Sequence, residues 1–190
     1  MLVGWGGVGL AYCAGAAAPA SAHLLQPGPL DRLIGLHTGA VWVYLMLFLL
    51  VPAAYLRSPA HRIEWLRDAM LLCALVAATV YLCWPTSLVR PSPSGSGASA
   101  EALRWLCGWD SPRNCLPSLH GALTVLCVWS LWRCGQRTRG LLLAGFGLAM
   151  AYAIVATQRH GALDLAAGAA LGLLAGLVAA LAHRPVGGRR

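Results

Sequence analysis

Two histidines and one aspartate stand out in a chain with little else to titrate. After Asp110 the only acidic residue is Asp164, and between Arg62 and Ala182 the only histidines are His120 and His160. His160 and Asp164 are four residues apart, so a helix beginning near residue 160 would put them on one face with side chains able to meet. A carboxylate that accepts from one imidazole nitrogen fixes the tautomer and leaves the other nitrogen free. That is the logic of a nucleophile or base held by an orienting group, although a purely structural pair has the same spacing. His120 follows Pro117-Ser118-Leu119, a run that suits the first turn of a helix. Free amides and the positive dipole end at such a turn favour a phosphate; a capping turn with an interfacial histidine is the plainer alternative. Arg90-Pro91 adds a cation that, alone, reads as an ordinary interfacial arginine.

The elements that must position these residues belong in a bilayer. Of 190 residues, 58% are apolar and 11% charged, and the mean hydropathy is +0.66. Soluble domains have about 45–50% apolar and about 25% charged residues. This composition excludes a soluble globular protein, a disordered tail and a coiled coil. It predicts an all-α fold, a polytopic membrane bundle of about six transmembrane helices forming one domain over residues 1–190. Six stretches lack Asp, Glu, Lys and Arg: 1–30, 33–56, 69–89, 114–132, 140–158 and 165–183. The first is Gly-rich and broken by Pro19 and Gln26-Pro27-Gly28-Pro29. Its Ala20-Ser21-Ala22 resembles a signal-peptide cleavage site, but no basic residue precedes the run, which favours a retained span. The last holds Gly168, Gly172 and Gly176 at four-residue spacing, a ridge for close helix contact.

The arginines orient the bundle. Arg57, Arg62 and Arg67 fall in a 57–68 loop, Arg133, Arg137 and Arg139 in a 133–139 loop, and Arg184, Arg189 and Arg190 in the tail. These are alternate loops and share one side, which the positive-inside rule makes cytoplasmic. The formal charge of +8 is therefore loop charge at a membrane and not a nucleic-acid surface. All fourteen basic residues are Arg, as expected from a GC-rich bacterial coding bias, so the expected location is a bacterial cytoplasmic membrane. The 85–113 loop and the turn near 159–164 then face outward. Within the former, residues 92–100 read as a flexible linker, and Trp105 and Trp109 after it as interface aromatics. The fourth and fifth spans are antiparallel neighbours, so His120, His160 and Arg90 reach one outer face. A cation, two histidines and an aspartate converging there make a phosphoryl-transfer constellation.

Arg90-Pro91, then Pro117-Ser118-Leu119-His120, then His160-x-x-x-Asp164 resemble the three ordered motifs of the type 2 phosphatidic acid phosphatase superfamily. The segment Asp110-Ser-Pro-Arg-Asn-Cys-Leu-Pro-Ser-Leu-His, with Trp84-Pro85-Thr86, is most similar to its inositol-phosphorylceramide and sphingomyelin synthase branch. The resemblance spans roughly residues 31–176, including Leu30-Asp31-Arg32-Leu33-Ile34 and Trp42-Val43-Tyr44, with motifs at 84–91, 117–120 and 159–164. It implies an integral membrane lipid phosphatase or phosphotransferase that needs no metal or other cofactor. Its substrate would be a membrane lipid phosphoester, and its acceptor water, an alcohol or another lipid. His160 would be the nucleophile forming a phosphohistidine, Asp164 its orienting group, and His120 the acid for the leaving oxygen. Arg90 and the backbone around Ser118 and Leu119 would hold the phosphoryl oxygens.

Two positions depart from the phosphatases: Cys83 stands where they have Lys, and Ile154 where they have Arg. Arg159, beside the nucleophile, either supplies a replacement cation for the phosphate or anchors the interface. The departures favour the phosphotransferase branch. Cys107 and Cys115 share the outward loop, where a disulfide is permitted. Two other function classes remain. One is a transporter or channel with His120, His160 and Asp164 as a proton relay, which would call for acids deeper in the spans. The other is a His/His/Asp metal site for hydrolysis.

Overall fold

The computed structural model describes residues 1–17, 20–132 and 137–183. Arg133, Cys134, Arg184, Arg189, Arg190 and Pro19 lie outside the described residues, as does the Arg137 side chain. The elements run α1 (Leu2–Ala16), β1 (His23–Leu25), α2 (Pro29–Ile34), a 3-10 turn (Thr38–Ala40), α3 (Val41–Leu45) and α4 (Leu47–Arg57). Then follow α5 (Ala60–Cys83), β2 (Thr86–Leu88), α6 (Ala98–Trp109), α7 (Leu119–Trp132), α8 (Arg137–Ala156) and α9 (Ala162–Ala182). Four helical stretches are long and apolar enough to cross a membrane: Thr38–Arg57, Ala60–Cys83, Arg139–Ala156 and Ala162–Ala182. α1 and α7 are shorter apolar helices and lie in the first and fourth of the six charge-free stretches. The protein is an all-α integral membrane bundle.

The bundle is arranged for lipid outside and close packing inside. Leu142, Leu148, Leu174 and Leu181 are exposed on α8 and α9, as a bilayer allows. α5 is the central helix, packed against α1, α7 and α9, with Leu66, Met70, Ala77 and Tyr81 fully buried. The glycine ridge of α9 acts as expected: a Cβ on Gly172 would lie 2.7 Å from the Ala122 carbonyl oxygen, and one on Gly176 would strike Trp129. Trp65 donates its indole N–H to the Gly176 carbonyl at 2.8 Å, tying α5 to α9.

Several boundaries differ from the sequence reading, each for a local reason. The third span begins at Ala60 and not at 69, so the expected 57–68 loop reduces to Ser58-Pro59. Charge does not stop a helix; Arg67 pairs with Asp68 at 2.6 Å and Asp68 with His183 at 2.8 Å, which keeps these side chains at the polar end. The linker at 92–100 is loop only as far as Gly97, since Ala98-Ser99-Ala100 open α6. The fourth helix begins at Leu119 and Pro117 precedes it, because Ser118 is the cap: its Oγ accepts from the Gly121 amide at 3.2 Å. The first helix ends at Ala16, and the chain beyond it forms a short parallel pairing of β1 with β2. Cys107 and Cys115 are both free thiols and no disulfide joins them. Cys115 is buried, accepts from Arg90 at 3.6 Å and donates to the Pro112 carbonyl at 3.6 Å.

Candidate active site

Three loops and two helix starts meet at one end of the bundle, opposite the end that carries Arg57, Arg62, Arg67 and His183. The Thr86 side chain accepts from the Leu116 amide at 2.9 Å, fixing the 110–118 loop against β2. The Ser118 amide donates to the Asp164 carbonyl at 3.0 Å, joining the starts of α7 and α9. Tyr81 of α5 donates to the Pro117 carbonyl at 2.6 Å from a fully buried position. These bonds set His120 and His160 beside each other, with ring centroids 5.4 Å apart.

The hydrogen bonds assign the tautomers. His160 Nδ1 lies 2.9 Å from the Cys115 carbonyl oxygen, which can only accept, so Nδ1 carries the proton and Nε2 holds a lone pair. His120 Nδ1 faces that Nε2 at 3.3 Å and is therefore the donor. The remaining His120 nitrogen, Nε2, is 2.8 Å from the Tyr44 hydroxyl and accepts from it. The result is a directional chain from Tyr44 through His120 and His160 to a backbone carbonyl, with both imidazoles neutral. Burial pushes the His160 pKa well below its ordinary value of 6.5; neighbouring His120 and Arg90 push the same way and the Cys115 carbonyl opposes them. Burial also raises the Cys115 thiol, keeping it protonated.

Asp164 is not where the sequence spacing put it. His160 precedes the helix, Gly161 is its N-cap, and Asp164 is the third residue of α9. The Asp164 carboxylate accepts from the Gly161 amide at 2.8 Å and so caps the helix instead of gripping the imidazole. The orienting acceptor for His160 is the Cys115 carbonyl, which no pattern of side-chain types reveals. A second aspartate joins at this point: Asp31 accepts from the Ala162 amide at 2.7 Å and from the Gly28 amide at 2.7 Å. It ties α2 to the segment that carries His160.

Both arginines are brought to the histidines. Arg90 donates to the Arg159 carbonyl at 3.0 Å and to the Ser111 carbonyl at 3.3 Å. Arg159 is 3% exposed, which excludes it as a surface anchor. Asp110 Oδ2 lies 3.7 Å from the Nη1 of each arginine, balancing two like charges. The Nε atoms of both arginines are buried without a hydrogen-bond partner, as is Asp110 Oδ2. The site thus holds unused cationic donors. Neither amide at the start of α7 is open: the Ser118 amide is committed to the Asp164 carbonyl, and the Leu119 amide donates to the buried Tyr81 hydroxyl. Cys83 and Ile154 supply no cation, and Ile154 is buried in the core. Among the described residues no group of three His, Cys, Asp or Glu side chains could hold a metal ion.

An apolar cavity of about 270 Å³ opens beside His120. Tyr12, Tyr44, Asp110 and His120 form its polar side, and Trp5, Val8, Phe48 and Leu123 extend it along α1, α4 and α7. Sequence reasoning missed Tyr12 and Asp110 as site residues, and it noted Tyr44 and Asp31 only within a resembling segment. Asp110 carried a usable signal: a buried acid needs a partner, and the nearby loops offer few cations.

A family model of the PAP2 superfamily matches residues 23–178, a stretch that holds Arg90, His120, Arg159, His160 and Asp164 and begins after α1. No curated protein and no solved structure matches the chain. With most of its length matched and a helical membrane fold around the site, the chain belongs to the PAP2 superfamily and is a phosphatase-type membrane enzyme.

Proposed function

We propose that this enzyme is a lipid phosphatase or phosphotransferase that works through a phosphohistidine on His160. Its substrate is a membrane lipid phosphoester, met at the extracytoplasmic face. Its acceptor is water or an alcohol, as in the inositol-phosphorylceramide and sphingomyelin synthase branch that the loop before His120 resembles. The observation that carries this reading is the hydrogen bond from His160 Nδ1 to the Cys115 carbonyl, which leaves Nε2 unprotonated, its lone pair turned to the Nδ1 proton of His120.

The steps follow from the tautomers. His160 Nε2 attacks phosphorus; the N–P bond forms as the bond to the leaving oxygen breaks. His120, loaded with a second proton, gives its Nδ1 proton to that oxygen. It is left protonated on Nε2, where the Tyr44 hydroxyl turns to accept. The bare Nδ1 then takes the proton of the incoming water or alcohol, whose oxygen attacks phosphorus and releases His160. Arg90 and Arg159 stabilise the phosphoryl oxygens, the main requirement of phosphoryl transfer. A proton relay is less well supported, because the chain of bonds ends on a carbonyl that cannot pass a proton onward.

The test is to incubate the purified protein with lipid phosphates and phosphodiesters, with and without alcohol acceptors, scoring free phosphate and new phospholipid separately. His160→Ala abolishes turnover. His120→Ala slows poor leaving groups by about 10²–10⁴-fold and activated ones less. Vanadate inhibits and EDTA does not. Full activity in His160→Ala overturns the reading; loss in EDTA restored by a divalent metal replaces it with metal-assisted hydrolysis. A cysteine placed at Ser96 reacts with an impermeant reagent in intact cells if the site faces outward.

A further inference from the structure

Asp110 stands among the phosphate-binding cations, and the proposed chemistry gives it nothing to do. One of its oxygens, Oδ1, accepts from the Tyr12 hydroxyl of α1. The Tyr12 hydroxyl oxygen in turn accepts from the Ser111 amide at 2.5 Å, and the Asn114 side chain donates to the Tyr12 carbonyl at 2.7 Å. Tyr12 is thus fixed to the 110–114 loop by three contacts. The other oxygen, Oδ2, lies 3.7 Å from Arg90 and 3.7 Å from Arg159, which is ion-pair range but beyond hydrogen-bond length. Tyr12 holds the carboxylate by its far oxygen and stops it from closing on the guanidinium groups. The arginines keep donors for a ligand, yet they sit in the field of a fixed negative charge.

Arg90 and Arg159 contribute two positive charges, and Asp110 sets a fixed negative charge within 3.7 Å of both. Asp31 and Asp164 add further negative charge nearby, although they accept from the amides of Gly28, Gly161 and Ala162. A phosphodiester brings one negative charge to these two arginines. A phosphomonoester brings about −1.5 to −2 at neutral pH, its second pKa being about 6. Its extra charge is repelled by Asp110 in a site where water screens little.

We infer that Asp110, held by Tyr12, is a specificity-determining residue that selects a phosphoryl group carrying one negative charge over one carrying two. This rests on the reading of the site as a phosphoryl pocket and assigns a role to a helix that lies before the family match.

The probes are dihexanoyl phosphatidic acid and its methyl ester, which share their chains and differ by one ionisable oxygen. Binding of each to the full-length protein in detergent is measured by competition, and turnover is measured beside it. The wild type binds the methyl ester in preference to the acid. Asp110→Asn keeps the Tyr12 bond, removes the charge, and raises the acid-to-ester affinity ratio about tenfold or more. Tyr12→Phe frees the carboxylate to close on the arginines and weakens both probes without raising the ratio. A second measurement uses wild type alone: from pH 8 to pH 5 the acid gains affinity relative to the ester as its second proton binds, with a midpoint of about 6. A ratio that moves less than about twofold in folded Asp110→Asn overturns the inference, as does a flat wild-type ratio across that range. Selective binding without turnover sustains the charge filter and removes the proposed activity. His160-dependent turnover with no charge preference does the reverse.

Discussion

A Cβ on Gly168 would lie 2.0 Å from the carbonyl oxygen of Ser118, so α9 can approach the start of α7 only because that side chain is missing. The same approach lets the Ser118 amide reach the Asp164 carbonyl, which sets the level of His120 against His160. Backbone is not a neighbour that can swing aside. Gly168→Ala therefore forces the two helices apart, lowering stability by about 1–3 kcal/mol or more as overpacking does. Turnover falls further than stability, because the histidines move with the helices. Gly145→Ala is the control: nothing lies within 4 Å of a Cβ there, and a helical alanine is neutral or mildly stabilising. Thermal unfolding in detergent, run beside the activity assay, checks both. Equal effects of the two substitutions would contradict the account.

His160 gives a pH signature with a definite sign. Its pKa is held well below 6.5, first by burial, then by His120 and Arg90. The nucleophile is the neutral form, so titration of His160 takes nothing from the rate of phosphoenzyme formation as pH falls through 6.5, where protonation of the acid His120 favours the step, and the loss due to His160 comes only on the acid side. Stability behaves differently. The unfolded chain takes up a proton near its ordinary pKa of about 6.5 while folded His160 does not, so stability is lost as pH falls below that value. His160→Gln removes this part of the slope. An acid limb of the rate at or above 6.5 would mean that the imidazole is not shielded as described.

Asp164 tests which neighbour orients the nucleophile. An aspartate gripping the imidazole would make Asp164→Asn severe, since the tautomer and the charged imidazole would both lose their partner. As a helix cap, the side chain needs only an oxygen that accepts from Gly161, and asparagine retains one. Asp164→Asn keeps most of the activity, whereas Asp164→Ala costs about 1 kcal/mol of stability and loosens the turn that carries His160. Comparing the two in unfolding and turnover assays decides it. A collapse of activity in a well-folded Asp164→Asn would return the aspartate to the imidazole.

What the sequence made legible divides along physical lines. Charge-free runs located all six apolar helices, because bilayer thickness and side-chain solvation act through composition. They misplaced the start of α5, where Arg62, Glu64, Arg67 and Asp68 continue the helix. The ordered motifs named the two histidines and Arg90, because such groups are rare where water is scarce. The partner of His160 was not legible, because it is a main-chain oxygen on Cys115 and any residue supplies one. Asp164 was misread for a related reason. A four-residue spacing puts two side chains on one face only if both are in the helix, and Gly161 starts it one residue too late. Tyr12, 98 residues from its partner Asp110, has no local pattern that could connect them.

Tyr44 supplies the last test. It is 1% exposed, its ring packs against His120 with centroids 4.7 Å apart, and its hydroxyl lies 2.8 Å from His120 Nε2. Tyr44→Phe keeps the ring and deletes the bond, leaving a buried imidazole nitrogen without a partner. That costs about 1–3 kcal/mol. It falls on the protonated states of His120 that the transfer steps require, so kcat drops about tenfold to a hundredfold while KM changes little. Because Tyr44 acts through His120, the loss has a pattern that damaged packing alone would not produce. It is larger for poor leaving groups than for activated ones, as in His120→Ala. In a His120→Ala background, Tyr44→Phe adds little further loss, since residues in one network are not additive. If Tyr44→Phe instead costs the same with every leaving group and in both backgrounds, the hydroxyl supports the fold and not the proton transfer.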